Sequence, residues 1–201
     1  MANRRNHYEA AFEAYLRQER IAYVAVNEQR RALVGDGSLK SLDFIVSPDG
    51  GGTRWLVDVK GRKFPSGQKQ RQYWRNWSTR DDLASLSRWQ EEFGPPFEAV
   101  LVFAYELTAG RSPTPPEQVF YFRDKPYAFV GVRLRDYAAL AKTLSPRWGT
   151  VAIPASQFRA RAEPLLDLLT PPEPLAEWAS SGVSGEPAIV EAIGGKPPRF
   201  G

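Results

Sequence analysis

The sequence WLVDVKGRKF, residues 55–64, decides how this chain is interpreted, because it combines the pattern of a buried strand with charged groups. Side chains alternate between the two faces of a β-strand, so Asp58 and Lys60 lie on one face and the valines beside them on the other. Two further basic residues, Arg62 and Lys63, follow directly. A carboxylate next to an ammonium on such a strand predicts either a reactive site or an ion pair.

Helices and strands are predicted on both sides of this stretch. Residues 6–20 carry apolar residues at helical spacing, with Asn6 as the N-cap. The turn sequence PDGGGT separates two apolar runs and predicts a hairpin of strands 41–47 and 54–60. The other predicted strands are 21–27, 97–107, 118–124, 127–134 and 149–154. A second helix is predicted from Asp81, with Thr79 as its cap, to Gly94. Two further helices are predicted over 136–144 and over 155–169, the latter interrupted at Pro164. Residues 61–79 are predicted to be irregular.

The order α-β-β-β-α-β, followed by mixed elements, predicts an α/β fold with a central mixed sheet flanked by helices. We expect one domain over residues 1–170. Residues 171–201 are rich in Pro, Gly and Ser, which predicts a loosely ordered tail.

Composition narrows the possible chemistry. The 201 residues include no Cys and one His, so Cys-ligated zinc, disulfides, thiol nucleophiles and His-rich metal sites are excluded. No apolar run reaches the ~20 residues of a membrane span, and the N-terminus lacks the apolar segment of a signal peptide. We therefore expect a cytoplasmic protein without membrane association. Residues 1–80 carry a net charge of +7 and the remainder −3, which favours a polyanionic partner for the first part.

Asp43 lies on the strand that precedes Asp58, and hairpin pairing would bring the two carboxylates within reach of each other. Two neighbouring carboxylates repel, and one takes up a proton unless a cation is bound. Mg²⁺ prefers such oxygen ligands, and the carbonyl of Val59 could supply another. Lys60 would lie beside a metal-bound water, where an ammonium could orient the water or neutralise charge on a phosphate. The opposing interpretation is an ordinary ion pair on an exposed strand.

The pattern of Asp43 followed by Asp58-Val59-Lys60 resembles the PD-(D/E)xK nuclease superfamily, and it is most similar to resolvases of the archaeal Holliday-junction type. The resemblance covers residues 6–106 and implies a restriction-endonuclease-like αβββαβ core and Mg²⁺-dependent cleavage, with Mn²⁺ as a substitute. It also implies that a glutamate of the first helix, Glu9 by position, completes the site. Leu42 stands where the superfamily usually has Pro, and the second acid is Asp instead of Glu.

The sequence HYEAAFE, residues 7–13, further resembles the signature of the HYExAFE proteins, a bacterial family without an established activity. Glu9 and Glu13 are four residues apart and share one helix face. Glu13 and His7 are candidates for supporting contacts to the metal site. Alternatively, both glutamates are solvent-facing charges beside an apolar helix stripe.

Residues 61–80 contain six basic residues, no acid and four aromatic residues, as expected of a nucleic-acid channel or lid. Trp55, Trp89 and Trp148 are predicted core residues, and Arg80-Asp81-Asp82 is interpreted as a charged helix start. At least one of the two tryptophans in the segment is predicted to anchor it to the core. The predicted nucleic-acid contacts are Arg62, Lys63, Lys69, Arg71, Trp74, Arg75, Trp77 and Arg80.

The sequence thus predicts a Mg²⁺-dependent nuclease acting on DNA, with RNA also open. The alternatives are a nucleic-acid-binding protein that keeps the fold without cutting, and an interaction domain with a structural Asp–Lys pair. A homodimer is also open, because many similar nucleases are dimers, although no self-complementary face is recognisable.

Overall fold

The computed structural model describes residues 6–26, 32–34, 37–48, 52–66 and 74–170. The predicted tail over 171–201 lies outside the described residues. The helices are α1 (His7–Gln18), α2 (Arg80–Phe93), α3 (Leu134–Leu140), α4 (Ala155–Arg161) and α5 (Leu165–Leu169). The strands are β1 (Ala22–Ala25), β2 (Ala32–Val34), β3 (Gly37–Leu39), β4 (Phe44–Ser47), β5 (Arg54–Phe64), β6 (Ser78–Thr79), β7 (Phe97–Leu107), β8 (Phe120–Phe122), β9 (Lys125–Arg133), β10 (Lys142–Ser145), β11 (Thr150–Ala152) and β12 (Glu163–Pro164).

The central sheet is mixed, with the strand order β1-β4-β5-β7-β9-β12 and β8 beside β9. The predicted hairpin is confirmed, because β4 pairs antiparallel with β5 through Phe44 opposite Val57. The long strand β7 then lies parallel to β5 along its whole length, from Arg54 to Phe64. Because helix α2 forms the crossover between these two parallel strands, the order α1-β1-β4-β5-α2-β7 reproduces the predicted αβββαβ core.

Helices cover both faces of this sheet. Helix α1 packs Phe12 and Leu16 against the face that carries Val57 and Val59. Its predicted cap is confirmed, since the Asn6 side chain accepts a hydrogen bond from the amide of residue 8. Helices α2, α3 and α4 pack against the opposite face, whose buried residues include Leu56, Leu101 and Phe103. Strand alternation therefore directs Asp58 and Lys60 towards α2 and not towards α1.

The sequence prediction was wrong for the first part of 61–79. Strand β5 continues to Phe64, because β7 offers backbone partners to that point. Gly61 permits this continuation next to α1, since a Cβ at this position would lie 2.1 Å from a ring carbon of Tyr8. Residues 78–79 form the short strand β6, which pairs with β11. The basic residues of this segment therefore extend from a rigid strand, at least as far as Phe64.

A second sheet of order β10-β11-β6 lies outside the αβββαβ core. Its first strand occupies residues that were predicted to end a helix, because α3 stops at Leu140. The predicted helix over 155–169 is likewise divided, since Pro164 pairs with β9 as part of β12 and separates α4 from α5. Strands β2 and β3 form a small hairpin that was not predicted.

Candidate active site

The candidate site lies where β5 extends past its neighbour β4. Strand β4 begins at Phe44, opposite Val57, so the following residues of β5 have no β4 partner. Asp43, immediately before β4, fills this position with its side chain, and its Oδ2 accepts a hydrogen bond of 2.6 Å from the amide of Val59. Asp43 is 6% exposed. The N–H and C=O of a strand residue point to the same side, so the Val59 carbonyl is also directed towards this gap.

Asp58 lies next to Asp43, as the sequence predicted. Burial raises the pKa of Asp58, and an interaction with the side chain of Asp43 opposes this rise. Asp58 Oδ2 is also 2.8 Å from the Nζ of Lys60, and each of these two side chains is 16% exposed. Asp43, Asp58 and Lys60 thus form one cluster, shielded from water.

A third carboxylate, Asp82 of α2, closes the cluster from the helix side. Its Oδ2 is 2.9 Å from the Nζ of Lys60, and its Oδ1 is 2.9 Å from the Nζ of Lys40. Asp82 also accepts a hydrogen bond from the amide of Thr79, whose hydroxyl caps the helix in return. This reciprocal capping box fixes the position of Asp82 at the start of α2.

Burial and the opposite charges nearby shift the pKa values of Asp58, Lys60 and Asp82 in opposite directions. Burial raises the pKa of Asp58 above its usual value, and the nearby charge of Asp82 adds to this effect, although Lys60 opposes it. Burial alone would lower the pKa of Lys60, but the attraction of Asp58 and Asp82 outweighs it and raises that pKa. Burial would also raise the pKa of Asp82, but Lys60 and Lys40 hold that pKa well below its usual range. Lys60 is therefore a permanent cation at neutral pH.

The donor set suits a hard divalent cation. Asp58 is a buried carboxyl whose pKa is raised by burial, and Asp43 and the Val59 carbonyl offer oxygens beside it. Asp58 and Asp82 also line a cleft of about 30 Å³, large enough for a water molecule or an ion. Among the residues that the structure describes, no group of three or more His, Asp and Glu side chains is arranged to hold a metal. A cation here would therefore complete its shell with water or substrate oxygens.

The predicted residues of α1 lie apart from the face that carries Lys60. Glu9 is 5% exposed and accepts a hydrogen bond from the Asn6 side chain, on the helix that covers the opposite face of the sheet. Glu13 accepts hydrogen bonds from Arg17 and Tyr23. Their roles at a metal remain predictions.

His7 belongs to a separate polar group at the far end of β7. Its Nδ1 is 2.8 Å from the hydroxyl of Tyr127, and its Nε2 is 3.8 Å from Glu106, which also pairs with Lys125. The predicted contact of His7 with the metal site therefore also remains a prediction.

Basic residues continue from the cluster along the same face of β5. Arg62, two residues after Lys60, places its guanidinium 3.8 Å from the ring centroid of Trp77 and donates to the carbonyl of that residue. Trp77 is 38% exposed, whereas Trp74 packs against the core, so the predicted anchor is Trp74. Three further predicted contacts, Lys63, Arg75 and Arg80, are exposed, and two, Lys69 and Arg71, lie outside the described residues.

One interpretation of the sequence was wrong and another was incomplete. Trp148, predicted to be a core residue, is 69% exposed in the turn between β10 and β11. Asp82 lies in the charged first turn of α2, as interpreted, and it is also the second anionic partner of Lys60. The pattern Thr79-x-x-Asp82 was a capping signal visible in the sequence, but the partner of its carboxylate depends on how α2 packs against β5.

No protein-family model matches the sequence, so the resemblance to the HYExAFE proteins is without support, and no curated protein matches it. Among solved structures, the chain is similar to Hjc, a Holliday junction resolvase from the archaeal hyperthermophile Archaeoglobus fulgidus. The two are 16% identical with a TM-score of 0.48, over 82% of this chain and 98% of the resolvase chain. Among the described residues, no helix is long and apolar enough to cross a membrane.

Proposed function

We propose that this protein is a nuclease that hydrolyses phosphodiester bonds of DNA with the help of Mg²⁺, for which Mn²⁺ can substitute. The observation that carries the proposal is the buried cluster in which Asp43 holds the amide of Val59 at 2.6 Å and Asp58 lies 2.8 Å from the ammonium of Lys60. Asp43, Asp58 and the Val59 carbonyl would hold the cation. Lys60 is already paired with Asp58 and Asp82, so the further buried carboxyl of Asp43 favours a cation site.

The bound cation would polarise the phosphodiester and lower the pKa of a water molecule. Although Lys60 is buried, the attraction of Asp58 and Asp82 raises its pKa and favours the ammonium, so its proposed role beside the attacking water is electrostatic. Its ammonium donates hydrogen bonds towards the phosphate and offsets negative charge that develops during attack. Asp82 acts through Lys60 as a positioning residue, since it holds the ammonium from the helix side at 2.9 Å.

The basic side chains that follow the cluster would hold the nucleic acid. Lys63, Arg75 and Arg80 are exposed, and none of residues 61–80 is acidic. Phosphate contacts of this kind give affinity without base preference and weaken as salt increases.

Cleavage of end-labelled DNA with Mg²⁺, Mn²⁺ or EDTA tests the proposal. The panel contains duplex, nicked, single-stranded and four-way-junction substrates, and an RNA strand distinguishes the two polymers. We expect metal-dependent cutting by the wild type and loss of cutting in Asp58→Asn and Lys60→Met. Asp81→Asn is the matched control, because Asp81 lies beside Asp82 on α2 but forms its ion pair with Lys40 instead of Lys60 and is 58% exposed.

A separate measurement of Mn²⁺ binding, by electron paramagnetic resonance, decides why cutting is lost. Asp58→Asn should lose the ion, whereas Lys60→Met should keep it. Glu9→Gln tests the remaining predicted ligand, Glu9 of α1. This variant should weaken Mn²⁺ binding if Glu9 reaches the ion. Cutting that survives in Asp58→Asn would refute the proposed site, and DNA binding without cutting in any protein would favour a non-catalytic binder.

A further inference from the structure

An open pocket of about 550 Å³ lies outside the proposed hydrolytic cluster and has no role in it. Its volume falls in the range of small-molecule and cofactor sites, which is about 300–1,000 Å³. The walls come from the segment 74–77 on one side and from β10, β11 and the residues after them on the other. The residues that line the pocket include Trp74, Arg75, Asn76, Trp77, Leu144 and Ile153.

The wall formed by 74–77 is held rigidly from behind. Tyr105 and Tyr137 donate hydrogen bonds to the carbonyls of Arg75 and Asn76, and Arg62 donates to the next carbonyl. The Asn76 amide also makes two hydrogen bonds to the backbone of residue 153, at 2.9 and 3.0 Å. Three successive carbonyls are thus fixed, so the pocket is preformed and loses little conformational freedom when a ligand binds.

The pocket lining includes aromatic and large apolar side chains, and the segments that supply it are rich in basic residues. Trp77 is 38% exposed and Leu144 is 63% exposed, although both are large apolar residues. Residues 74–80 and 142–162, which supply the whole lining, include six Lys or Arg and no Asp or Glu. This combination suits a polyanion that carries flat aromatic groups, and such a ligand is a nucleic-acid strand with unpaired bases.

The pocket also adjoins the proposed cleavage site. Lys60 and Arg62 lie on the same face of β5, about 7 Å apart along the strand. Arg62 in turn stacks on Trp77, which forms the pocket wall. A strand whose phosphate lies near Lys60 would therefore reach the pocket with a neighbouring nucleotide.

We propose that this pocket binds an unpaired base of a nucleic-acid strand, with Trp77 as the stacking surface and Leu144 opposite. The pocket predicts the substrate class, because a base in a duplex is already paired and stacked and cannot enter. The substrate would be a single strand, or a structure with an unpaired segment beside the phosphodiester to be cut. The identification of this strand as a substrate to be cut rests on the proposed nuclease function, whereas binding of the base in the pocket does not.

Fluorescence anisotropy in EDTA tests binding without cleavage. The probes are a labelled single strand of about 12 nucleotides and a blunt duplex of the same sequence. We expect Trp77→Ala to weaken binding of the single strand by about 5- to 150-fold, the effect of one stacked base, and to change duplex binding by less than about twofold. Leu144→Glu should act in the same way, and Trp77→Phe should restore most of the affinity.

Trp148→Ala is the matched control, because Trp148 is also exposed, at 69%, and lies in the turn between β10 and β11 but does not line the pocket. It should leave both affinities unchanged. Equal losses for both probes in Trp77→Ala, no loss in Leu144→Glu, or binding of the duplex alone would each overturn the proposal. The cleavage assay separates the two proposals. If a single strand binds through Trp77 but no substrate of the panel is cut, the nuclease alone is refuted. If a single strand is cut with metal and Trp77→Ala leaves this cutting unaffected, the pocket alone is refuted.

Discussion

Replacement of Asp82 by Asn is the perturbation that best tests the electrostatics of the cluster. Asparagine keeps an oxygen that can accept the hydrogen bond from Thr79, so the helix cap is retained. The negative charge that faces Lys60 at 2.9 Å is lost. The variant therefore isolates the charge interaction between α2 and β5 from the local stability of the helix.

The magnitude follows from the exposure of the two lysines. The side chain of Lys60 is 16% exposed, and a hydrogen bond to such a charged group is worth about 1.5–3 kcal/mol. Lys60 keeps Asp58, so the loss stays below the about 3–5 kcal/mol that follows when a buried charge has no partner. The pair with Lys40, which is 41% exposed, adds little. We expect the free energy of unfolding to fall by about 2 kcal/mol, and Tm by about 4–8 °C.

Calorimetry in EDTA at neutral pH measures this change, with Asp81→Asn as the control. Asp81 also pairs with Lys40, at 3.0 Å, but is 58% exposed, so its replacement should cost less than about 0.5 kcal/mol. Equal effects of the two variants would refute the reasoning, because they would show that Lys60 gains nothing from its second carboxylate.

The dependence on pH provides a second test of the same variant. The pKa of Asp82 is depressed in the folded protein, so its contribution to stability is complete above its unfolded pKa of about 3.9 and is lost as the pH falls through the lower folded pKa. The difference in stability between wild type and Asp82→Asn should be constant from about pH 5 to 8 and should shrink below about pH 4. A difference that grows on acidification would contradict this assignment.

Three further predictions concern the same strand. The stability of the wild type relative to Asp58→Asn in EDTA should decrease as the pH rises above about 4, because burial raises the pKa of Asp58 and its ionisation costs stability; a difference that does not fall with rising pH would refute this. Mg²⁺ at 100 times its Kd should stabilise the wild type by about 2.7 kcal/mol in thermal melts and leave Asp58→Asn unchanged. Gly61→Ala should cost about 1–3 kcal/mol in urea unfolding, because its Cβ would overlap the Tyr8 ring. Gly52→Ala, with no atom within 4 Å of the added Cβ, is the control and should change stability by less than about 0.5 kcal/mol.

The parts of the fold that could be predicted from the sequence are those with strong local signals. The cap and apolar spacing of α1, the turn between β4 and β5, and the capping box of α2 each involve residues close in the chain. The pairing of Asp43 with Asp58 followed from the hairpin alone. The sequence could not predict that β5 continues through Gly61, because its last residues look like a polar loop and are held by tertiary partners, Tyr8 on one face and Trp77 on the other.

The partners of Lys60 show the same limit within the site. Asp58 is two residues away and on the same strand face, so the pair was visible in the sequence. Asp82 is 22 residues away on a helix, and its carboxylate was already explained by a capping role. Only the packing of α2 on β5 reveals that one carboxylate performs both tasks.

Asp43 also has two tasks, and they determine which of its variants can be interpreted. Its carboxylate replaces the missing backbone partner of Val59, because β4 begins opposite Val57. Asp43→Ala would leave a buried N–H without a partner, at a cost of about 1–3 kcal/mol, in addition to removing a proposed ligand. Loss of activity in that variant would therefore not distinguish a disturbed strand from a missing ligand. Asp43→Asn keeps an oxygen for Val59 and removes only the charge, so a normal Tm with lost Mn²⁺ binding in Asp43→Asn would assign the metal role to the carboxylate itself.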